Sequence, residues 1–213
     1  MISDKHKCIF IHVPKTAGES IETALMGRPN WEKDDPNYAS LNLPEDSKIG
    51  EDKHYTVSQW KDHMCFDSYF KFSFVRNPWA RTASLQKYSK HFGVSLQKGK
   101  INFGRYFDNF YPLEIDHRSK SHEDSFDPIE NAIYLNILNV KLDFIGKFEN
   151  LQQDFNIVCD QIGISHQKLV HAEQSTGKNY NKHYTEYYDD ETRQIVAEKY
   201  AKDIEYFGYN FGE

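Results

Sequence analysis

Short apolar runs alternate along this chain with segments that are apolar on one face only, the pattern of strands feeding helices. The run at 8–13 ends in a polar loop, after which Ile21 and Leu25 stand four apart, so a strand, a loop and a helix over 18–26 are expected. Phe70, Phe72 and Phe74 alternate with other residues and predict a strand over 70–76, and Pro78 suits the first turn of a helix over 78–92. A short strand is expected near 53–57, with a helix beginning at about Ser58. Asp127 and Pro128 read as the start of a helix reaching Asn139, followed by a strand over 142–148. Leu151, Phe155, Val158, Cys159 and Ile162 share one face of a helix over 150–162, and a last helix is expected over 190–202. Between these, 27–52 reads as an irregular insertion, 93–126 as a polar lid or ligand-binding insertion, and 163–188 as a loop. The sum is an α/β fold: a single domain over 1–213 with a central parallel sheet flanked by helices, and a ligand at the carboxyl ends of the strands.

Two strand ends carry the chemistry. The first loop reads Pro14-Lys15-Thr16-Ala17-Gly18-Glu19-Ser20. Backbone N–H groups at a helix start, a lysine and two hydroxyls suit a phosphate or a sulfate. The nucleotide-triphosphate loop places lysine after its second glycine, whereas here Lys15 precedes Gly18 by three residues. No aspartate at the end of a second apolar strand suggests a magnesium ligand, so the anion is expected to be handled without a metal. The second segment reads Arg76-Asn77-Pro78-Trp79-Ala80-Arg81-Thr82-Ala83-Ser84. Arg76 at a strand end and Ser84 about two turns into a helix suit a terminal phosphate. Arg81 is expected in a surface or structural ion pair. Two anion sites imply a ligand with two separated anionic groups.

Composition narrows the partners. A net charge of −6 argues against bulk binding of nucleic acid. The scattered basic residues Lys87, Lys90, His91, Lys98 and Lys100, and Lys178, Lys182 and His183, read as solvated surface. Three cysteines at unrelated spacings fit buried thiols in a reducing compartment and no metal site. Neither a signal peptide nor an apolar run long enough to span a bilayer is evident, so a cytoplasmic protein or a trimmed catalytic domain is expected.

The two motifs together resemble the sulfotransferases that use 3′-phosphoadenosine 5′-phosphosulfate (PAPS), in the branch containing carbohydrate sulfotransferases. The resemblance extends through Asp143-Phe144-Ile145-Gly146-Lys147-Phe148-Glu149-Asn150-Leu151 to the segments at 188–192 and 203–211, in family order. It implies a P-loop-like sulfotransferase architecture. It also implies that residues 14–20 hold the 5′-phosphosulfate and that Arg76 and Ser84 hold the 3′-phosphate. Lys15 is then the group that stabilises the leaving phosphate, with Thr16, Ser20 and the loop amides. His54, between the two motifs, resembles the family's catalytic base, with His12 as a competitor whose expected role is structural. Lys178 and Tyr180 lie where the family closes a loop over the nucleotide. The position after Gly18 is usually threonine in this family. Glu19 stands there, and as a first-turn helix residue it is expected to face solvent. The implied acceptor is a small molecule or glycan bearing a hydroxyl. An ATP-dependent phosphotransferase and a non-catalytic nucleotide-binding relative are the alternatives.

Overall fold

The computed structural model describes residues 1–26, 65–86, 94–103, 132–138, 141–169 and 182–213. His54, Lys178, Tyr180, the insertion at 27–52, the strand at 53–57, the start of the helix at Ser58, the end of the helix expected over 78–92 with Lys87, Lys90 and His91, residues 104–126 and the helix start at Asp127 and Pro128 lie outside the described residues. In chain order the first elements are β1 (Ile2–Ser3), β2 (Cys8–Ile11), α1 (Gly18–Met26), β3 (Phe70–Val75) and α2 (Pro78–Leu85). A hairpin of β4 (Val94–Gln97) and β5 (Lys100–Phe103) follows, then α3 (Tyr134–Ile137), β6 (Phe144–Lys147) and α4 (Leu151–Gln161). The last two helices are α5 (Asp190–Lys199) and α6 (Ala201–Phe207). The chain forms two compact units, Met1–Val75 with Leu138–Gln174, and Arg76–Ile137 with Ser175–Glu213.

The first unit is an α/β layer. Its sheet runs in the order β1-β2-β3-β6, parallel from β2 through β3 to β6, with β1 antiparallel at one edge. All four residues of β2 are buried, as expected for a parallel strand covered on both faces. Period-two alternation puts Phe72 and Phe74 of β3 on the face that meets α1 and α4. There they cluster with Phe10, Ile21, Leu25, Phe155, Val158 and Cys159. Phe10 stacks on Phe72 at 5.0 Å, and Phe72 meets Phe74 edge-on at 6.4 Å. Ser73 donates its hydroxyl to the Ile11 carbonyl at 2.7 Å. Beside β3, Gly146 of β6 leaves the space that the Phe74 ring fills: a Cβ there would fall inside 3.0 Å of it.

The second unit holds α2, the β4–β5 hairpin, α3, α5 and α6. Asn77 caps α2 by accepting from the Trp79 and Ala80 amides, and Pro78 occupies the first turn. In α5, the Asp189 side chain and Thr192 form a capping box. Gly208, at φ 67°, closes α6 in the left-handed conformation.

Four expectations change here. The start of the stretch 93–126 is not irregular: β4 and β5 pair with Gln97 opposite Lys100 across a two-residue turn. Lys98 and Gly99 both take positive φ there, which gives a turn whose twist matches its strands. Ala132 and Ile133 are not helical, and α3 begins only at Tyr134. The Asp203 carboxylate accepts from the Ile133, Tyr134 and Leu135 amides at 2.6, 2.9 and 2.9 Å, so a distant residue sets this helix start. The helix expected over 190–202 divides at Tyr200, whose buried ring sits at φ −110°, ψ 17°. Finally, Arg81 is fully buried, donating to the Tyr200 hydroxyl with its guanidinium 5.5 Å from the Tyr134 ring. A buried guanidinium needs such partners because an unpaired charge in the interior is costly.

Two outcomes follow. Gly146→Ala should cost about 1–3 kcal/mol by crowding Phe74, read as a lowered urea midpoint with an unchanged m value. All three thiols are buried, and burial pushes the Cys8 thiol up to about 12. A disulfide reagent at pH 8 should therefore find no fast-reacting cysteine in the native chain and three after denaturation; one rapid native equivalent would contradict that burial.

Candidate functional site

β2 ends at Ile11, and the chain turns at once, with the Val13 amide donating to the Ile11 carbonyl at 3.2 Å. The loop then bends around Thr16, which is fully buried and donates its hydroxyl to the Val13 carbonyl at 2.8 Å. Lys15 and Ala17 on either side both sit at φ 68°. Residues with a Cβ are uncommon in that left-handed region, and backbone strain of this kind persists where the surroundings over-determine it. Alternation of left-handed with ordinary residues turns successive N–H groups toward a concave side, where an anion can be held. α1 starts immediately afterwards: the Ser20 and Ile21 amides both donate to the Ala17 carbonyl. Lys15, Ala17 and Glu19 are half-buried, while Thr16, Gly18 and Ser20 are buried. Glu19 lies in the first turn of α1, where the helix dipole favours a carboxylate. Expected to face solvent, it is half-buried there.

A buried pair underlies this loop. His12 and Glu22 are 4% and 1% exposed, and Nδ1 of His12 lies 3.0 Å from Oε1 of Glu22. The imidazole lies against Gly18 so closely that any Cβ at that position would overlap the ring. Phe10 also stacks on His12 at 5.6 Å. Glu22 was missed in the sequence, although its signal was there: Gly18, Ile21, Glu22 and Leu25 share one helical face, and an acid on that face needs an internal partner.

The second motif begins where β3 ends at Val75. Arg76 is half-buried, and its backbone carbonyl accepts from the Tyr134 hydroxyl at 2.6 Å. Asn77 ties the turn further by donating Nδ2 to the Asn210 carbonyl at 2.8 Å. Ser84 is half-buried in α2, and the buried positions around it belong to Ala83 and Leu85. The first motif lies in the first compact unit and the second in the other. Lys100, expected as solvated surface, is exposed, and it also donates to the Glu186 and Tyr188 carbonyls, both at 2.9 Å. Glu149, at the end of β6, falls in the 3-10 turn Phe148–Asn150. Among the described residues, no group of three or more His, Cys, Asp and Glu side chains is placed to hold a metal ion. No helix among them is long and apolar enough to cross a membrane.

Residues 1–210 match the model of the sulfotransferase family. An uncharacterized protein of Archaeoglobus fulgidus is 32% identical over 117 residues, which cover 55% of this chain and 87% of that protein. Carbohydrate sulfotransferase 14 of Danio rerio is 23% identical over 98% of this chain and 61% of its own length. Carbohydrate sulfotransferase 11 of Mus musculus is 25% identical over 78% of this chain and 53% of its own length. This chain therefore spans less than two thirds of either carbohydrate sulfotransferase. No solved structure matches it.

The contact between Gly18 and His12 makes a test of the loop. Gly18→Ala should cost about 1–3 kcal/mol through displacement of the imidazole or the loop. Thermal unfolding with and without adenosine 3′,5′-bisphosphate would measure both the loss of stability and the loss of ligand protection expected with it.

Proposed function

The chain belongs to the sulfotransferase family, and on that premise we propose that it transfers a sulfuryl group from PAPS to a hydroxyl of a carbohydrate acceptor. The observation that carries this reading is the loop at 14–20. Its two left-handed residues, its buried Thr16 and its helix start form a cradle suited to a phosphosulfate. The donor set is amides, hydroxyls and one ammonium, which fits an anion without requiring a metal. β2 and β3 pair in parallel, and each motif follows the carboxyl end of its own strand.

In this reading the acceptor oxygen attacks sulfur as the bond from sulfur to the 5′-phosphate oxygen breaks, in line, as in phosphoryl transfer. Lys15, Ser20 and the amides of Ala17, Gly18 and Glu19 meet the charge that builds on the leaving phosphate, while the Thr16 hydroxyl, committed to the Val13 carbonyl, shapes the loop rather than donating to the anion. His54 takes the proton of the acceptor hydroxyl. Arg76 and Ser84 hold the 3′-phosphate, and Lys178 closes on the nucleotide. The products are a sulfate ester and adenosine 3′,5′-bisphosphate. Three free, buried thiols fit a reducing, cytoplasmic compartment. The acceptor class follows the names of the two carbohydrate sulfotransferases this chain is similar to. Glu19, half-buried at the head of α1, sets the loop apart from the family's usual threonine and is expected to weaken nucleotide binding wherever it turns toward the anion.

Transfer of labelled sulfate from PAPS to a panel of glycans tests the proposal. Lys15→Ala should lower turnover by about 10²–10³-fold with the fold intact. His54→Ala should lose turnover by about 10²–10⁴-fold while still binding the nucleotide. Unchanged turnover in His54→Ala would remove that residue from the base role. Transfer of phosphate from ATP with magnesium, and none of sulfate, would favour the phosphotransferase alternative.

A further inference from the structure

We propose that Tyr134 is a positioning residue for Arg76, fixing through its hydroxyl the backbone from which the 3′-phosphate-binding guanidinium extends. This rests on the assignment of Arg76 to the 3′-phosphate and adds the device that aims it. The Arg76 carbonyl lies where β3 gives way to α2. The strand pairing ends at Val75 opposite Lys147, and α2 takes its first carbonyl from Asn77, which accepts from the Arg81 amide at 2.8 Å. Tyr134 supplies a donor to that carbonyl at 2.6 Å. Fixing the carbonyl fixes the peptide plane between Arg76 and Asn77, and with it the ψ angle at the Cα that carries the arginine side chain.

The tyrosine is itself held on several sides. Its ring is fully buried, 5.7 Å from the Tyr200 ring and edge-on to Phe207 at 6.0 Å. The Arg81 guanidinium lies over it at 5.5 Å. Its amide, with those of Ile133 and Leu135, is held by the Asp203 carboxylate. Burial also pushes the Tyr134 hydroxyl well above the ordinary tyrosine range, so it remains a donor. A side chain locked this way transmits position, because packed interiors do not deform continuously. A tyrosine that served packing alone would need only its ring. The hydroxyl aimed at one carbonyl beside the anion-binding arginine separates the two roles.

The test compares dissociation constants, by calorimetry, for adenosine 3′,5′-bisphosphate and adenosine 5′-monophosphate, which differ by the 3′-phosphate. Tyr134→Phe keeps the ring and removes the hydroxyl. It should reduce the preference for the bisphosphate roughly three- to ten-fold, leaving affinity for the monophosphate unchanged. Tyr200→Phe removes a hydroxyl from the same cluster without touching Arg76, and should leave that preference at the wild-type value. In an Arg76→Ala background, Tyr134→Phe should have no further effect. Asp203→Asn loosens the segment carrying Tyr134 by a second route and should shift the preference in the same direction. An unchanged preference in a folded Tyr134→Phe or Asp203→Asn protein would overturn the positioning role. Equal loss for both nucleotides would do the same, since that marks a structural effect. A wild-type protein with no preference for the bisphosphate would instead overturn the assignment of Arg76 itself, and the inference with it.

Discussion

The parallel pairing of β3 between β2 and β6 is the constraint on which the first unit depends. Ile11 lies opposite Ser73, and Val75 opposite Lys147, so three strands end in one direction. The register holds because Phe72 and Phe74 must face α1 and α4, and a slip of one residue would turn both toward the opposite face. The hydroxyl of Ser73 on the Ile11 carbonyl and the absent side chain at Gly146 reinforce the same alignment. An apolar ladder whose function is packing thereby determines where the loop after β2 begins.

The second unit is organised differently, around buried polar groups. Arg81 and Asp203 are both fully buried and interact electrostatically; Arg81 also meets the Tyr200 hydroxyl and the Tyr134 ring, and Asp203 accepts from three backbone amides. Burial raises the Asp203 pKa while those amides oppose the rise by favouring the carboxylate. Such networks cost much when half-satisfied and specify one arrangement when complete. Here that arrangement includes the turn bearing Arg76. The sulfotransferase motif Arg76–Ser84 therefore draws its geometry from residues far along the chain, at 134, 200 and 203.

Much of this was legible in the sequence where local chemistry decides. The helix over 18–26 and the start of α2 at Pro78 were read from apolar spacing and proline placement, and the α/β class from the order of elements. What escaped were arrangements set by distant partners. The start of α3 belongs to Asp203, the division at Tyr200 accompanies burial of its ring against Arg81, and neither leaves a local signal. The β4–β5 hairpin was legible in principle, since Val94, Leu96, Ile101 and Phe103 flank Lys98-Gly99, but the polar residues beyond masked it. Around the candidate loop, the lysine, hydroxyls and glycine could be named from spacing. The closeness of Gly18 to His12, and the Glu22 partner of that histidine, required the folded backbone.

The most direct test of the account is a calorimetric titration with adenosine 3′,5′-bisphosphate, set against ADP and against ATP with magnesium. A sulfotransferase whose second anion site is Arg76 should prefer the bisphosphate, and Arg76→Ala should weaken it by about 10–100-fold, as loss of a charge-assisted contact does. Equal binding of all three nucleotides, or a preference for ATP with magnesium, would contradict it.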